Sequence, residues 1–95
     1  MLRAARVDAN QKRIVEGLRK MGCSVLVVSQ LKNCFDILVG WKGENFAFEI
    51  KDGDKPKSQR KLTGGEQEFF NSWNGQISVV ESLEGAIKEL YKIRH

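Results

Sequence analysis

Between Val7 and Met21 the apolar side chains Val7, Ile14, Leu18 and Met21 recur at spacings of seven, four and three. Such spacings stack on one face of an α-helix. The pattern predicts an amphipathic helix with Asp8 as its N-cap, Gln11 as the capping-box partner three residues on, and Gly22 as its stop. Residues 24–28 are short and β-branched and predict a strand. Two further strands are predicted over residues 35–40 and 45–51, joined through Trp41-Lys-Gly-Glu44 as a hairpin whose turn centres on Gly43. Residues 52–61 are polar, hold the only proline and predict a loop. Thr63-Gly-Gly-Glu66 has capping-box spacing and opens a short helix through Glu68, Phe69, Phe70 and Trp73. A strand over residues 77–80 follows, and Ser82 caps a last amphipathic helix carrying Ala86, Ile87, Leu90 and Ile93.

Folding the hairpin about Lys42 and Gly43 sets opposite each other residues whose numbers sum to 85. Phe35 then faces Ile50, Ile37 faces Phe48 and Val39 faces Phe46, all apolar and all on one face. A slip of one residue would destroy that agreement. On the other face Leu38 meets Ala47 and Asp36 meets Glu49. Two carboxylates as direct cross-strand neighbours, roughly 4.5–5.5 Å apart at Cβ, repel unless something positive sits between them. A hard divalent cation suits that position, because Mg²⁺ binds through one or two carboxylates with waters and phosphate oxygens. The backbone carbonyl of Ile50 offers one more oxygen. Lys51 projects to the same face, where its ammonium can neutralise charge on a phosphate or orient an attacking water. Asp36, Glu49 and Lys51 thus outline a phosphodiester-hydrolysing site using Mg²⁺ or Mn²⁺. The plainer alternative is that Glu49 and Lys51 form a surface ion pair worth ~0–1 kcal/mol.

Composition narrows the class. The chain has 95 residues with 41% hydrophobic content, enough for one modest core and a single domain over residues 1–95. Sixteen Lys and Arg against twelve Asp and Glu leave a net charge of +4, the direction expected of a polyanion-binding protein. The positive charge gathers in Lys55, Lys57, Arg60 and Lys61, and with Ser58 and Gln59 these could hold phosphates beside the site; a solvated loop is the alternative. Arg3 and Arg6 could add a second basic arm. Cys23 and Cys34 have no zinc-ligand spacing and read as reduced, buried small hydrophobes. No apolar run approaches the roughly 20 residues of a membrane span, and the start lacks a signal-peptide core. A cytoplasmic protein without membrane partners is expected.

These residues resemble the PD-(D/E)XK nuclease superfamily, here Asp36 followed by Glu49-Ile-Lys51. Within it the chain is similar to small stand-alone VRR-NUC proteins of phages and bacteria, through Val7-Asp-Ala-Asn-Gln11, Phe35-Asp-Ile-Leu-Val-Gly40, Glu49-Ile-Lys-Asp-Gly53 and Ser58-Gln-Arg-Lys-Leu-Thr63. The resemblance covers nearly the whole chain. It implies an α/β fold with a restriction-endonuclease-like αβββαβ core, in which a mixed central sheet is flanked by helices. It also implies metal-dependent cleavage of branched DNA, with four-way (Holliday) junctions as substrate and a homodimer as assembly. A symmetric dimer would offer two sites to a two-fold junction.

Related resolvases carry a further acid on the first helix, and the distance to Gly22 puts that position at Gln11. A neutral amide there could face the metal or a water, or simply cap the helix with Asp8. Glu16 lies opposite the apolar stripe, spaced to pair with Lys12 and Lys20. Trp41 and Trp73 could stack on an unpaired base, although core packing or a dimer contact accounts for them more simply. Phe69 and Phe70 read as core, Asp52 and Asp54 as exposed turn residues, and His95 has no catalytic partner. Two other functions stay open: a DNA-binding module that cleaves nothing, and a nuclease for flapped or linear DNA.

Overall fold

The computed structural model describes residues 9–92. Three helices and a four-stranded sheet follow in the order α1 (Ala9–Lys20), β1 (Ser24–Val27), β2 (Ile37–Trp41), β3 (Glu44–Ile50), α2 (Gly64–Ser72), β4 (Ile77–Val80) and α3 (Leu83–Tyr91). This is an α/β fold with a mixed sheet of order β1-β2-β3-β4, antiparallel through β3 and parallel from β3 to β4. The expectations that rest on Arg3, Arg6, Val7, Asp8, Ile93 and His95 lie outside the described residues. No helix among the described residues is long and apolar enough to cross a membrane.

The hairpin register is the one the apolar pairs demand: Ile37 faces Phe48, Leu38 faces Ala47 and Val39 faces Phe46. Lys42 and Gly43 both adopt positive φ, 50° and 82°, which gives the turn a backbone twist matched to the strands it joins. Ile37, Val39, Phe46, Phe48, Ile50 and Val80 pack on Ile14, Val15 and Leu18 of α1 and on Ala86 and Leu90 of α3. Burial of this apolar area is the main stabilising term. Gly17 lies directly against the Leu83 side chain, so its missing Cβ lets α1 and α3 approach closely. Trp41 packs at the margin of the same core, its ring 6.1 Å from Tyr91 and covered by the Lys42 ammonium at 5.1 Å.

Both helix caps appear as the sequence predicts. Thr63 and Glu66 form the reciprocal capping box of α2, and Ser82 accepts from the Gly85 N–H at 3.0 Å. Four expectations need correction. The ladder ends at Ile37 and Phe48, so Phe35 leaves the core face and packs on Phe69 and Trp73. Phe69 and Phe70 are only half-buried, because α2 lies outside the main core and carries no buried residue. Cys23 is buried and free, its thiol pKa raised by burial, whereas Cys34 is half-buried and free. Glu16 is exposed, but no ion pair to Lys12 or Lys20 is formed among the described residues.

Candidate active site

β3 is buried on both faces from Phe46 to Ile50. Because side chains alternate, Phe46, Phe48 and Ile50 face the core while Glu49 points out the other side. Lys51, two residues on, shares that side, and its Nζ reaches Glu49 Oε2 at 3.4 Å. The same ammonium donates to Glu66 Oε1 at 3.1 Å, which brings the first turn of α2 over this face.

Asp36 stands immediately before β2, and its backbone still belongs to the sheet: its N–H donates to the Phe48 carbonyl at 2.9 Å, and its own carbonyl accepts from the Val28 N–H at 2.8 Å. The Ile50 N–H donates at 2.8 Å to Asp36 Oδ2 instead of to a backbone carbonyl. The carboxylate therefore replaces the last strand bond and is fixed at the end of β3 beside Glu49. A residue's N–H and C=O share one edge of a strand, so the Ile50 carbonyl is directed to the same end.

The electrostatics follow from this packing. Glu49 is only 6% exposed. Burial, then the charges of Asp36 and Glu66, push its pKa up to about 8, and the opposing effect of Lys51 offsets this only in part. For Lys51 burial alone would lower the pKa, but the hydrogen bond to Glu66 and the charges of Glu49 and Glu66 outweigh it and raise it. Burial likewise works to raise Glu66, and bonds from the Thr63 N–H, Lys51 and Glu49 reverse the sign and hold it low. The site thus gathers the Glu49 and Glu66 carboxyl groups about the Lys51 ammonium, with Asp36 close to Glu49, in a partly desolvated place.

Gln11 is buried, and its amide donates to Ser29 Oγ at 3.4 Å. Ser29 follows Val28, the residue bonded to Asp36, so Gln11 lies at the same end of the β1–β2 pair. In the basic loop Lys55, Lys57, Ser58, Gln59 and Lys61 are exposed, with a short 3₁₀ turn over Lys57–Gln59. Arg60 departs from the expected phosphate-binding set: it is half-buried and its Nη1 pairs with Glu81 Oε1 at 3.1 Å. Asp52 accepts the Asp54 N–H at 2.9 Å, the expected turn, although Asp52 itself is half-buried.

Two contributors were not legible as site residues. Glu66 was visible only as a helix cap, since nothing in a capping box says where its second oxygen points. Asn10 bridges the Lys51 and Glu81 carbonyls at 2.9 and 3.1 Å, tying α1 to the end of β3; an isolated Asn in a helix gives no such signal. Among the described residues no group of three or more His, Cys, Asp or Glu is arranged to hold a metal ion. The oxygen donors gathered at the end of β3 are the Asp36 and Glu49 carboxylates and the Ile50 carbonyl, donors of the type Mg²⁺ takes together with water and phosphate. No family model, curated protein or solved structure matches the chain.

Proposed function

We propose that this chain is a divalent-metal-dependent endonuclease of the restriction-endonuclease-like αβββαβ type, similar to VRR-NUC proteins, that hydrolyses phosphodiester bonds in branched DNA. Four-way junctions are the proposed substrate and a homodimer the proposed assembly. The observation that carries the reading is Glu49: a buried carboxyl beside Asp36 and bonded to Lys51, its pKa pushed up to about 8 by burial and then by the charges of Asp36 and Glu66. A surface ion pair would not bury its acid or raise it in this way.

Asp36, Glu49 and the Ile50 carbonyl would hold Mg²⁺ or Mn²⁺. The bound ion would supply Lewis-acid polarisation of the scissile phosphate and acidify water. Asp36 keeps a fixed orientation through the Ile50 N–H, so its carboxylate is held at the end of β3 before any ligand arrives. Lys51 holds an ammonium beside Glu49, where it can donate to a phosphate oxygen as charge develops or fix the direction of an attacking water. Exposed Lys55, Lys57 and Lys61 would contact phosphates on either side, giving affinity and register but no base preference.

The test is cleavage of a labelled four-way junction and a matching linear duplex with Mg²⁺, Mn²⁺ or chelator, beside Lys51→Ala. Paired symmetric nicks confined to the junction, lost in chelator and in the variant, are expected. Cleavage of linear or flapped DNA at the same rate would replace the branched substrate, and tight junction binding without product under either metal would leave only a DNA-binding module.

Glu66→Gln gives a second expectation. Glutamine at this position still closes the capping box, so the unfolding midpoint should be little changed. The charge that anchors Lys51 is lost, and turnover should fall about 10- to 100-fold, the range for groups that orient reactive side chains around a metal. Single-turnover rates at saturating enzyme measure it; an unchanged rate would show that Lys51 needs no anchor.

A further inference from the structure

Three aromatic rings, Phe35 before β2, Phe69 in α2 and Trp73 just past its end, gather outside the main core. Phe35, the neighbour of Asp36, lies 6.1 Å from Phe69 and 6.2 Å from Trp73, and the latter two stack at 5.3 Å with 25° between their planes. None of the three is buried, and Trp73 is 41% exposed. Glu66 and Phe69 are three apart on one face of α2, and Trp73 follows just past its last residue, where the backbone turns extended. The rings begin one helical turn, about 5 Å, beyond the contact between Glu66 and Lys51.

Beside Phe69 a hollow of about 310 Å³ opens between α2 and the loop that precedes β2, lined by Asn33, Gly65, Glu68, Phe69 and Ser72. Gly65 makes this arrangement possible: a Cβ there would fall 2.6 Å from the Asn33 Oδ1. Asn33 has a φ of 55°, a left-handed conformation that asparagine tolerates. One wall is therefore an aromatic face, and the rim carries an amide, a carboxylate and a hydroxyl. A flat π-surface edged with hydrogen-bond donors and acceptors is the complement of a nucleobase.

We propose that this hollow and its rings receive a nucleobase unstacked from the strand whose phosphate lies at Asp36, Glu49 and Lys51, which rests on the nucleic-acid reading above. The segment leading into α2 exposes Lys55, Lys57 and Lys61, which suits a phosphate backbone and would set like charges together if a second copy of the chain covered this face. A branch point supplies bases whose stacking is already interrupted, so little unstacking energy is required there. The platform thus gives preference for branched over continuous duplex without reading sequence, because every base has a π-face.

The experiment uses a four-way junction carrying 2-aminopurine at the branch, titrated with the full chain in chelator so that cleavage plays no part. Wild type is expected to bind and to change the probe's fluorescence as the base stacks on a ring. Trp73→Ala and Phe69→Ala should abolish that change and weaken binding about 5- to 150-fold. Gly65→Val, which displaces Asn33 and leaves every ring in place, should also reduce the signal. Because Gly65, Phe69 and Trp73 lie outside the main core, all three variants should still fold cooperatively, and their unfolding transitions are measured alongside. Variants that bind and alter the probe as wild type does would overturn the platform and leave the nuclease reading intact. Unchanged DNA affinity with loss of a dimer on sedimentation would overturn it in favour of a protein interface. Failure of wild type to bind any DNA would overturn both readings.

Discussion

Glu49→Gln should stabilise the metal-free protein at pH 8 while removing both its response to Mg²⁺ and its cleavage of DNA. The sign follows from linkage. In the folded chain Glu49 titrates at about 8 against an ordinary value of 4.5, so the folded state holds a proton that the unfolded state has released. The favourable contribution is complete below pH 4.5, falls as pH rises through the interval and is gone above about 8. Across that interval the loss is on the order of 5 kcal/mol, a large share of the roughly 5–15 kcal/mol that separates native from unfolded states. Glutamine is neutral at every pH and has the shape of the protonated acid, so the variant escapes the loss. Urea unfolding in chelator at pH 5, 7 and 9 measures it: the two proteins should be similar at pH 5 and diverge above pH 7, with the variant the more stable. A variant less stable at pH 9 would mean that the carboxylate is satisfied without a metal.

Metal should reverse the wild-type trend. A divalent cation needs the deprotonated acid, so Mg²⁺ or Mn²⁺ should raise the wild-type midpoint more at pH 8 than at pH 6, by the usual dependence of stability on ligand concentration. The variant should show little shift at either pH. The same group would thus limit stability in the free protein and organise chemistry in the loaded one, the balance expected where a site is built at the expense of the fold.

What the sequence discloses divides by the range of the interaction. The register of β2 on β3 was legible because the apolar pairs Ile37 with Phe48 and Val39 with Phe46 had to agree with one turn, and the agreement fails on a shift of a single residue. The third expected pair, Phe35 with Ile50, lies beyond the end of the ladder. The Thr63 and Ser82 caps were legible because their partners lie three residues away in the chain. That register put Asp36 near Glu49, as the effect of its charge on Glu49 shows, but not as the expected cross-strand partner, because the ladder ends at Ile37 and Phe48. The bond from Ile50 N–H to the Asp36 carboxylate did not follow from the register, since it arises where a strand ends and a side chain takes over from backbone. Glu66 on Lys51 and Arg60 on Glu81 join residues 15 and 21 apart; only the packing of α2 and the path of the loop decide them. Phe69 and Phe70 misled because hydrophobicity marks what avoids water, and a helix can meet that demand with a small cluster of rings as well as with the core.

Phe48→Ala should cost about 3–5 kcal/mol, the range for removing a buried aromatic side chain, and leave a chain of this size close to unfolding. Phe48 is 1% exposed, faces Ile37 across the hairpin and Ser78 across the parallel pair, and has the Phe46 ring centre 6.1 Å away. With both strands fixed around it, collapse can fill little of the cavity. Leu26→Ala is the control: Leu26 pairs with Leu38 on the opposite face and is 59% exposed, so its loss should stay near 0.5 kcal/mol. Urea unfolding of both variants reads the difference directly. It also bears on the site, because alternation puts Glu49 and Lys51 on the side away from the core only if Phe48 lies inside. Equal costs for the two variants would mean that β3 presents its faces the other way round. Glu49 would then point into the apolar layer, away from Lys51 and Glu66, and no carboxylate pair could meet a phosphate.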